Sequence, residues 1–191
     1  MRGKRIVIMI GGKSHNGKGA VADFIIEHSN QNLNKIQSSL STYIRQIAKD
    51  DFFWDGNDTD EFREFAGEVY RLGTKLYPYH MSRRVWERDN LPFIDNSKDN
   101  LVVVESLREK QNYDYYKELL GNGNIDELIT IRVVRPDFTD LKNKERLQHV
   151  SETDLDNFRF DYIIGNDSTL DSLKNKTIDL LRLLELEEYD G

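Results

Sequence analysis

Cysteine is absent from the 191 residues. That excludes disulfides and thiolate metal sites, and it fits a reducing cytosol. Histidine is scarce, with four widely spaced residues, so no transition-metal ligand set is expected. Proline is limited to three positions, and no Pro-, Gly- or Ser-rich linker divides the chain. No apolar run approaches membrane-spanning length. The start, Met1-Arg2-Gly3-Lys4-Arg5, is basic, but the apolar run behind it, Ile6 to Ile10, is too short for a secretion signal. A cytoplasmic protein without a membrane partner is the expectation. Excess positive charge is missing too, because the formal net charge is -7. The surface as a whole repels phosphate backbones, so duplex nucleic acid is not expected as a partner, although a local basic cleft stays open.

The chain does have enough apolar residues, 38%, to build one full-sized core. Ile6-Val7-Ile8-Met9-Ile10 is a short, unbroken, largely β-branched run. It reads as a strand buried on both faces, as in a parallel sheet. Leu101 to Val104, Leu128 to Val134 and Phe160 to Ile164 read likewise, and Ile36 to Leu40 suggests a further short strand. Helical spacing follows the first run (Ala20, Val21, Phe24, Ile25, His28), spans Lys110 to Leu120, and closes the chain with Leu170, Leu173, Leu180, Leu181 and Leu184. Residues 41 to 88 read as mostly helical, with Phe62, Phe65, Ala66, Val69 and Leu72 on one face and a turn at Trp54 to Asp58. Phe53 and Trp54 are expected to close a small core at that turn. The strongly charged stretch 136–157 reads as a lid-like loop. Buried strands alternating with helices imply an α/β sandwich of three layers around a parallel sheet, with an inserted helical region at about 41–95.

The stretch with most chemical content is Gly12-Lys13-Ser14-His15-Asn16-Gly17-Lys18, which fits G-x-x-x-x-G-K between a buried strand and an amphipathic helix. Such a loop curls its backbone N–H groups inward onto phosphate oxygens, and the following helix aims its positive end at the same point. Gly12, Ser14, His15, Asn16, Gly17, Lys18, Gly19 and Ala20 are therefore candidate phosphate-binding positions, with Lys18 bridging the terminal phosphates. The hydroxyl that normally follows the lysine and binds magnesium is missing, because the chain reads Gly19-Ala20. Phosphate cradling survives that loss, since backbone atoms provide it. Magnesium would have to be held by nucleotide oxygens, waters and a carboxylate elsewhere. Glu105 ends the apolar strand Leu101 to Val104 and is the candidate metal-site acid. Arg108 follows three residues later.

Several separated stretches together resemble the deoxynucleoside monophosphate kinases of tailed bacteriophages, within the P-loop nucleotide kinases. "GKSHNGKGAVADFI", "LSTYIRQIAKDDFFWDGNDTDEFREFAGEVYRLGT", "VVVESLREKQNYDYYKE", "IRVVRPD" and "HVSETDLDNFRFDYIIGNDSTLDSL" carry the likeness, which spans nearly the whole chain. The resemblance implies a P-loop fold whose helical insertion holds the acceptor nucleotide. It also implies transfer of the terminal phosphoryl of ATP, with Mg²⁺, onto a deoxynucleoside monophosphate. Lys18 would contact the transferring phosphates. Arg45 and Arg63 would bind the acceptor's phosphate, and Arg135 would neutralise transition-state charge or contact the donor. The sequence departs from the family at Gly19-Ala20, where an Asp-Thr pair is usual, and at Ser106-Leu107-Arg108, where Asp-x-Arg is usual.

Among the remaining residues, Arg83, Arg84 and Trp86 belong to an aromatic and basic cluster with Tyr77, Tyr79 and His80 that could take an acceptor base and phosphate. Asn166 is a candidate for adenine contact. Asp167 or Ser168 would cap the last helix, and Ser151 with Asp154 fits another cap. Two rival functions remain open at this stage. One is a kinase of the same build acting on a modified pyrimidine nucleotide or a DNA base. The other is a non-catalytic nucleotide-binding protein. Both a monomer and a homodimer are compatible with the sequence.

Overall fold

In the computed structural model, residues 2–57, 59–77, 79–136 and 154–188 are described. Most of the expected lid, 137–153, lies outside the described residues, and with it the expected cap at Ser151. Five strands form one parallel sheet: β1 (Arg5–Gly11), β2 (Asn34–Ser38), β3 (Asn100–Leu107), β4 (Glu127–Val134) and β5 (Tyr162–Gly165), in spatial order β2-β3-β1-β4-β5. The helices are α1 (Lys18–His28), α2 (Leu40–Phe52), α3 (Asp60–Leu76), α4 (His80–Val85), α5 (Lys110–Gly121) and α6 (Leu170–Leu183).

The unbroken apolar strands are buried on both faces because helices cover both. Ile6, Ile8, Ile10, Leu101 and Val103 face Val21 and Ile25 of α1 and Leu173, Leu180 and Leu181 of α6. Alternate residues of the same strands, Val7, Met9, Val102 and Val104, face Tyr116 and Leu119 of α5. The three layers and the parallel sheet are as the strand pattern requires. The short edge strand β5 is pinned to β4 by Asp161, whose Oδ2 accepts from both Thr130 N (2.8 Å) and Thr130 Oγ1 (2.6 Å).

The inserted helices α2, α3 and α4 carry a small core of their own, Ile44, Met81 and Val85, with Phe65, Val69 and Tyr70 packed against it. Trp54 closes the turn after α2, its indole stacked on Phe62 with ring centroids 4.0 Å apart. Phe53 does not join it. As the left-handed C-cap of α2 (φ 54°) it is turned outward and is 90% exposed. Leu72 is likewise exposed. After α4 a π-type turn, Trp86–Asn90, and a 3₁₀ turn, Leu91–Phe93, return the chain to the sheet. No helix among the described residues is long and apolar enough to cross a membrane.

Candidate active site

All five strands run parallel, so their carboxyl ends share one edge of the sheet. The connections after β1 and β3, which are neighbours, leave to opposite faces: α1 on one, α5 on the other. Such a switch point leaves a crevice at the strand ends, where α/β proteins bind ligands. A cleft of about 440 Å³ lies there, lined by His15, Gly17, Lys18, Gly19, Ser39, Ser41, Glu105, Arg108 and Arg135.

The loop between β1 and α1 forms the floor. Gly12 has φ 140°, and a Cβ there would stand 2.4 Å from the backbone oxygen of Val133. Only glycine lets the chain leave β1 this close to β4. Gly17 has φ 98° and is the N-cap of α1, where a Cβ would meet the Asn166 amide at 2.7 Å. Two asparagines fix the loop. Asn16 is buried and donates its side-chain amide to Val133 O at 3.0 Å. Asn166 donates its own to Asn16 O at 3.1 Å. One amide N–H of each asparagine thus holds the loop to β4 and β5, which gives Asn166 a structural tie besides the adenine contact expected of it. Lys18 Nζ lies across the loop mouth and donates to Gly12 O and Lys13 O, both at 2.8 Å.

Glu105 forms one wall. It belongs to the face of β3 that carries Leu101 and Val103, under α1. Its carboxyl is held above its ordinary value of 4.5, first by burial and also by the charge of Asp23, while a hydrogen bond from Gln37 and the charges of Lys18 and Arg45 pull the other way. A Cβ built on Gly19 would lie 3.3 Å from Glu105 Oε2. The carboxylate therefore lies in close contact with the point where a side chain after the lysine would begin. A divalent cation there would have one protein carboxylate within the cleft lining, and no group of three or more acidic or histidine ligands occurs among the described residues. That fits Mg²⁺, which takes few protein ligands beside phosphate and water.

The raised carboxyl has a thermodynamic sign. The folded protein binds this proton more tightly than the unfolded chain, so the group's contribution to stability falls as pH rises above 4.5 and through the folded value. Glu105→Gln is expected to remove that slope and to raise the melting temperature of the nucleotide-free protein at neutral pH. Calorimetric melts from about pH 4 to about pH 8 check both.

The other expected site residues are distributed as follows. Arg108 and Arg135 line the cleft from the ends of β3 and β4. Arg45 is exposed on α2, one turn beyond Ser41, and close enough to act on Glu105. Ser14 and Ala20 are half-buried within the loop and the first turn of α1. Arg63 pairs with Asp60 at 2.8 Å on α3. Arg83 pairs with Glu87 at 2.7 Å on an exposed flank, and Arg84 is exposed beside His80. None of Arg63, Arg83 and Arg84 is among the cleft residues. Trp86 is a correction. It is 3% exposed and packs edge-on against Tyr116, with ring centroids 6.1 Å apart, so it is a core residue and contacts no acceptor. Trp86→Phe should lower stability by about 1–2 kcal/mol through the space it leaves, measurable by urea unfolding. The last helix is capped by Thr169, which accepts from Ser172 N at 3.2 Å, whereas Asp167 is engaged by Lys176 at 2.6 Å.

The sequence reading missed three residues. Ser39, at the end of β2, caps α2 and hydrogen-bonds Ser41 (Oγ to Oγ 2.9 Å), and both line the cleft. The serine-rich stretch after a strand was the available signal. Asn112 is buried at the start of α5. Its Oδ1 accepts from Glu109 N (3.0 Å) and Arg108 N (3.3 Å), and its amide donates to Tyr70 Oη and Ser82 Oγ, both at 3.2 Å. It ties the inserted helices to the turn that carries Arg108. The spacing Glu109 to Asn112 is that of a capping box, but its bonds to the insertion are tertiary and have no local signature.

No protein-family model matches the sequence, and no curated protein does. Solved structures do show similarity. One is the APS kinase CysC of Mycobacterium tuberculosis in complex with AMPPNP and APS, with 14% identity, 95% of this chain and 98% of that one covered, and a TM-score of 0.48. Another is the dephospho-CoA kinase of Campylobacter jejuni, with 13% identity, coverage of 94% and 97%, and a TM-score of 0.49. A third is the thymidylate kinase of Ehrlichia chaffeensis, with 12% identity, coverage of 95% and 99%, and a TM-score of 0.47.

Proposed function

We propose that this chain is a P-loop kinase that transfers the terminal phosphoryl group of ATP to a small-molecule nucleotide, a deoxynucleoside monophosphate. The observation that carries the reading is the cleft, where Lys18, Arg108 and Arg135 arrive from three different strand ends over a glycine loop at the N-terminus of α1. In a chain of net charge -7, that convergence of cations is local and specific. The resemblance to the phage kinases supplies the acceptor class, and Ser39, Ser41 and Arg45 at the mouth of the insertion supply polar groups to receive it.

Phosphoryl transfer passes through a loose, anionic transition state, so the protein's work is positioning and charge stabilisation. An oxygen of the acceptor phosphate attacks the γ-phosphorus. The bond from that phosphorus to the β–γ bridging oxygen breaks, and ADP leaves with the electron pair. The acceptor phosphate is already a nucleophile and needs no strong base. Loop N–H groups and the α1 terminus hold the donor phosphates, while Lys18 follows charge from the γ- to the β-phosphate. Arg108 and Arg135 oppose the charge spread over the transferring group. Magnesium bound with the triphosphate would add further charge neutralisation, with Glu105 as the residue to hold it or its water shell.

Coupled ADP release with Mg-ATP and each deoxynucleoside monophosphate in turn, hydroxymethylated pyrimidines included, tests the proposal. Turnover that depends on one acceptor supports it. ATP binding without turnover on any acceptor would replace it with a non-catalytic nucleotide-binding role.

A further inference from the structure

Gly19 presents a puzzle that its backbone does not solve. It lies inside α1 and is not among the glycines with positive φ. Glycine is the poorest helix former after proline, so nothing in the conformation asks for it. What the missing side chain provides is room. Outside its chain neighbours and the backbone of its own helix, the one heavy atom within 4 Å of a Cβ at this position is Glu105 Oε2, at 3.3 Å. Glu105 is itself held toward that spot. Gln37 at the end of β2 lies close enough to draw the titration of Glu105 down, and the Gln37 amide donates to Asp23 Oδ1 at 2.9 Å, on α1 one turn beyond Gly19. The carboxylate is half-buried, with Lys18 and Arg45 near enough to act on it.

We infer, resting on the nucleotide-binding reading above, that Gly19 and Glu105 are a complementary pair. The Glu105 carboxylate occupies the place of the hydroxyl that usually follows the loop lysine, and it serves as the protein's oxygen ligand toward the divalent cation of a metal–triphosphate. Glycine at 19 is then a requirement of Glu105, and the substitution that seems to repair the loop should damage it. A threonine at 19 either displaces the carboxylate or hydrogen-bonds it. Either change competes with the cation for the carboxylate or moves it away. Without Glu105, the same threonine has an open place from which to act as ligand.

The test is binding of the non-hydrolysable analogue AMPPNP by calorimetry, with Mg²⁺ and with EDTA. Mn²⁺ electron paramagnetic resonance of the same complexes reports the ligand sphere independently of turnover. Gly19→Thr and Glu105→Gln should each lose about tenfold or more of the metal-dependent gain in affinity, with affinity in EDTA little changed. The double variant Gly19→Thr/Glu105→Ala should regain metal-dependent affinity relative to either single change. Melting temperatures of all variants control for folding. Improved metal-dependent affinity in Gly19→Thr, or an unchanged one in Glu105→Gln, overturns the inference. Wild-type protein that binds AMPPNP equally with and without metal also overturns it, while leaving the nucleotide site intact. Wild-type protein that binds no AMPPNP under either condition overturns the nucleotide reading itself, and this inference with it.

Discussion

Lys18→Ala should reduce acceptor-dependent ADP release by about 10²–10³-fold, the usual effect of removing one preorganised donor from a charge-stabilising site. The loss should fall mainly on kcat, because the side chain's task is to follow charge that develops between the γ- and β-phosphates. Lys18 Nζ also donates to Gly12 O and Lys13 O. Its removal therefore loosens the loop, and a stability loss of about 1 kcal/mol is expected alongside. Steady-state kinetics with a melting curve separate the two effects. A variant with a normal melting temperature and unaltered turnover would remove Lys18 from the chemistry.

Gly12→Ala carries the largest expected structural effect. A Cβ there would sit 2.4 Å from Val133 O at a φ of 140°. Neither side can yield easily. Val133 lies in β4, in register with β5 and buried in the main core. Overpacking and a forced left-handed-side conformation together should cost about 3–4 kcal/mol. For a domain of this size that is a fall in melting temperature of roughly 6–16 °C. Because Asn16 also holds to Val133 O, the same substitution should displace the loop's second tie and abolish nucleotide-dependent stabilisation. Thermal melts with and without AMPPNP check both parts. A variant with native stability would show that the loop leaves β1 by a different path.

Lys18 and Gly12 illustrate what was legible in the sequence. Strands buried on both faces, the loop between the first strand and helix, and the acid and arginine near the end of β3 follow from local patterns, whereas Arg135 was singled out by the family resemblance. Periodicity of two or of 3.6, and glycine spacing, are properties of neighbouring residues. Lys18 was read from the loop motif, Glu105 and Arg108 from the apolar strand β3, and Arg135 from the family resemblance; the parallel sheet places the ends of β1, β3 and β4 at the same edge.

Trp86 was misread, and the ties of Asn166 and the surroundings of Gly19 were not read, for one reason. Whether an aromatic ring stacks on a ligand or on Tyr116 depends on which helix folds over it. Whether an amide faces a nucleotide or Asn16 O, 150 residues away in sequence, depends on how β5 seats beside β4. The sequence by itself determined the order of elements, the phosphate loop and the loss of a hydroxyl at position 19. Only the tertiary structure decided what lies beside that position. It takes a strand 86 residues further on to bring the Glu105 carboxylate to 3.3 Å from where a Gly19 side chain would begin. A contact between distant segments is fixed by packing, which no local pattern encodes.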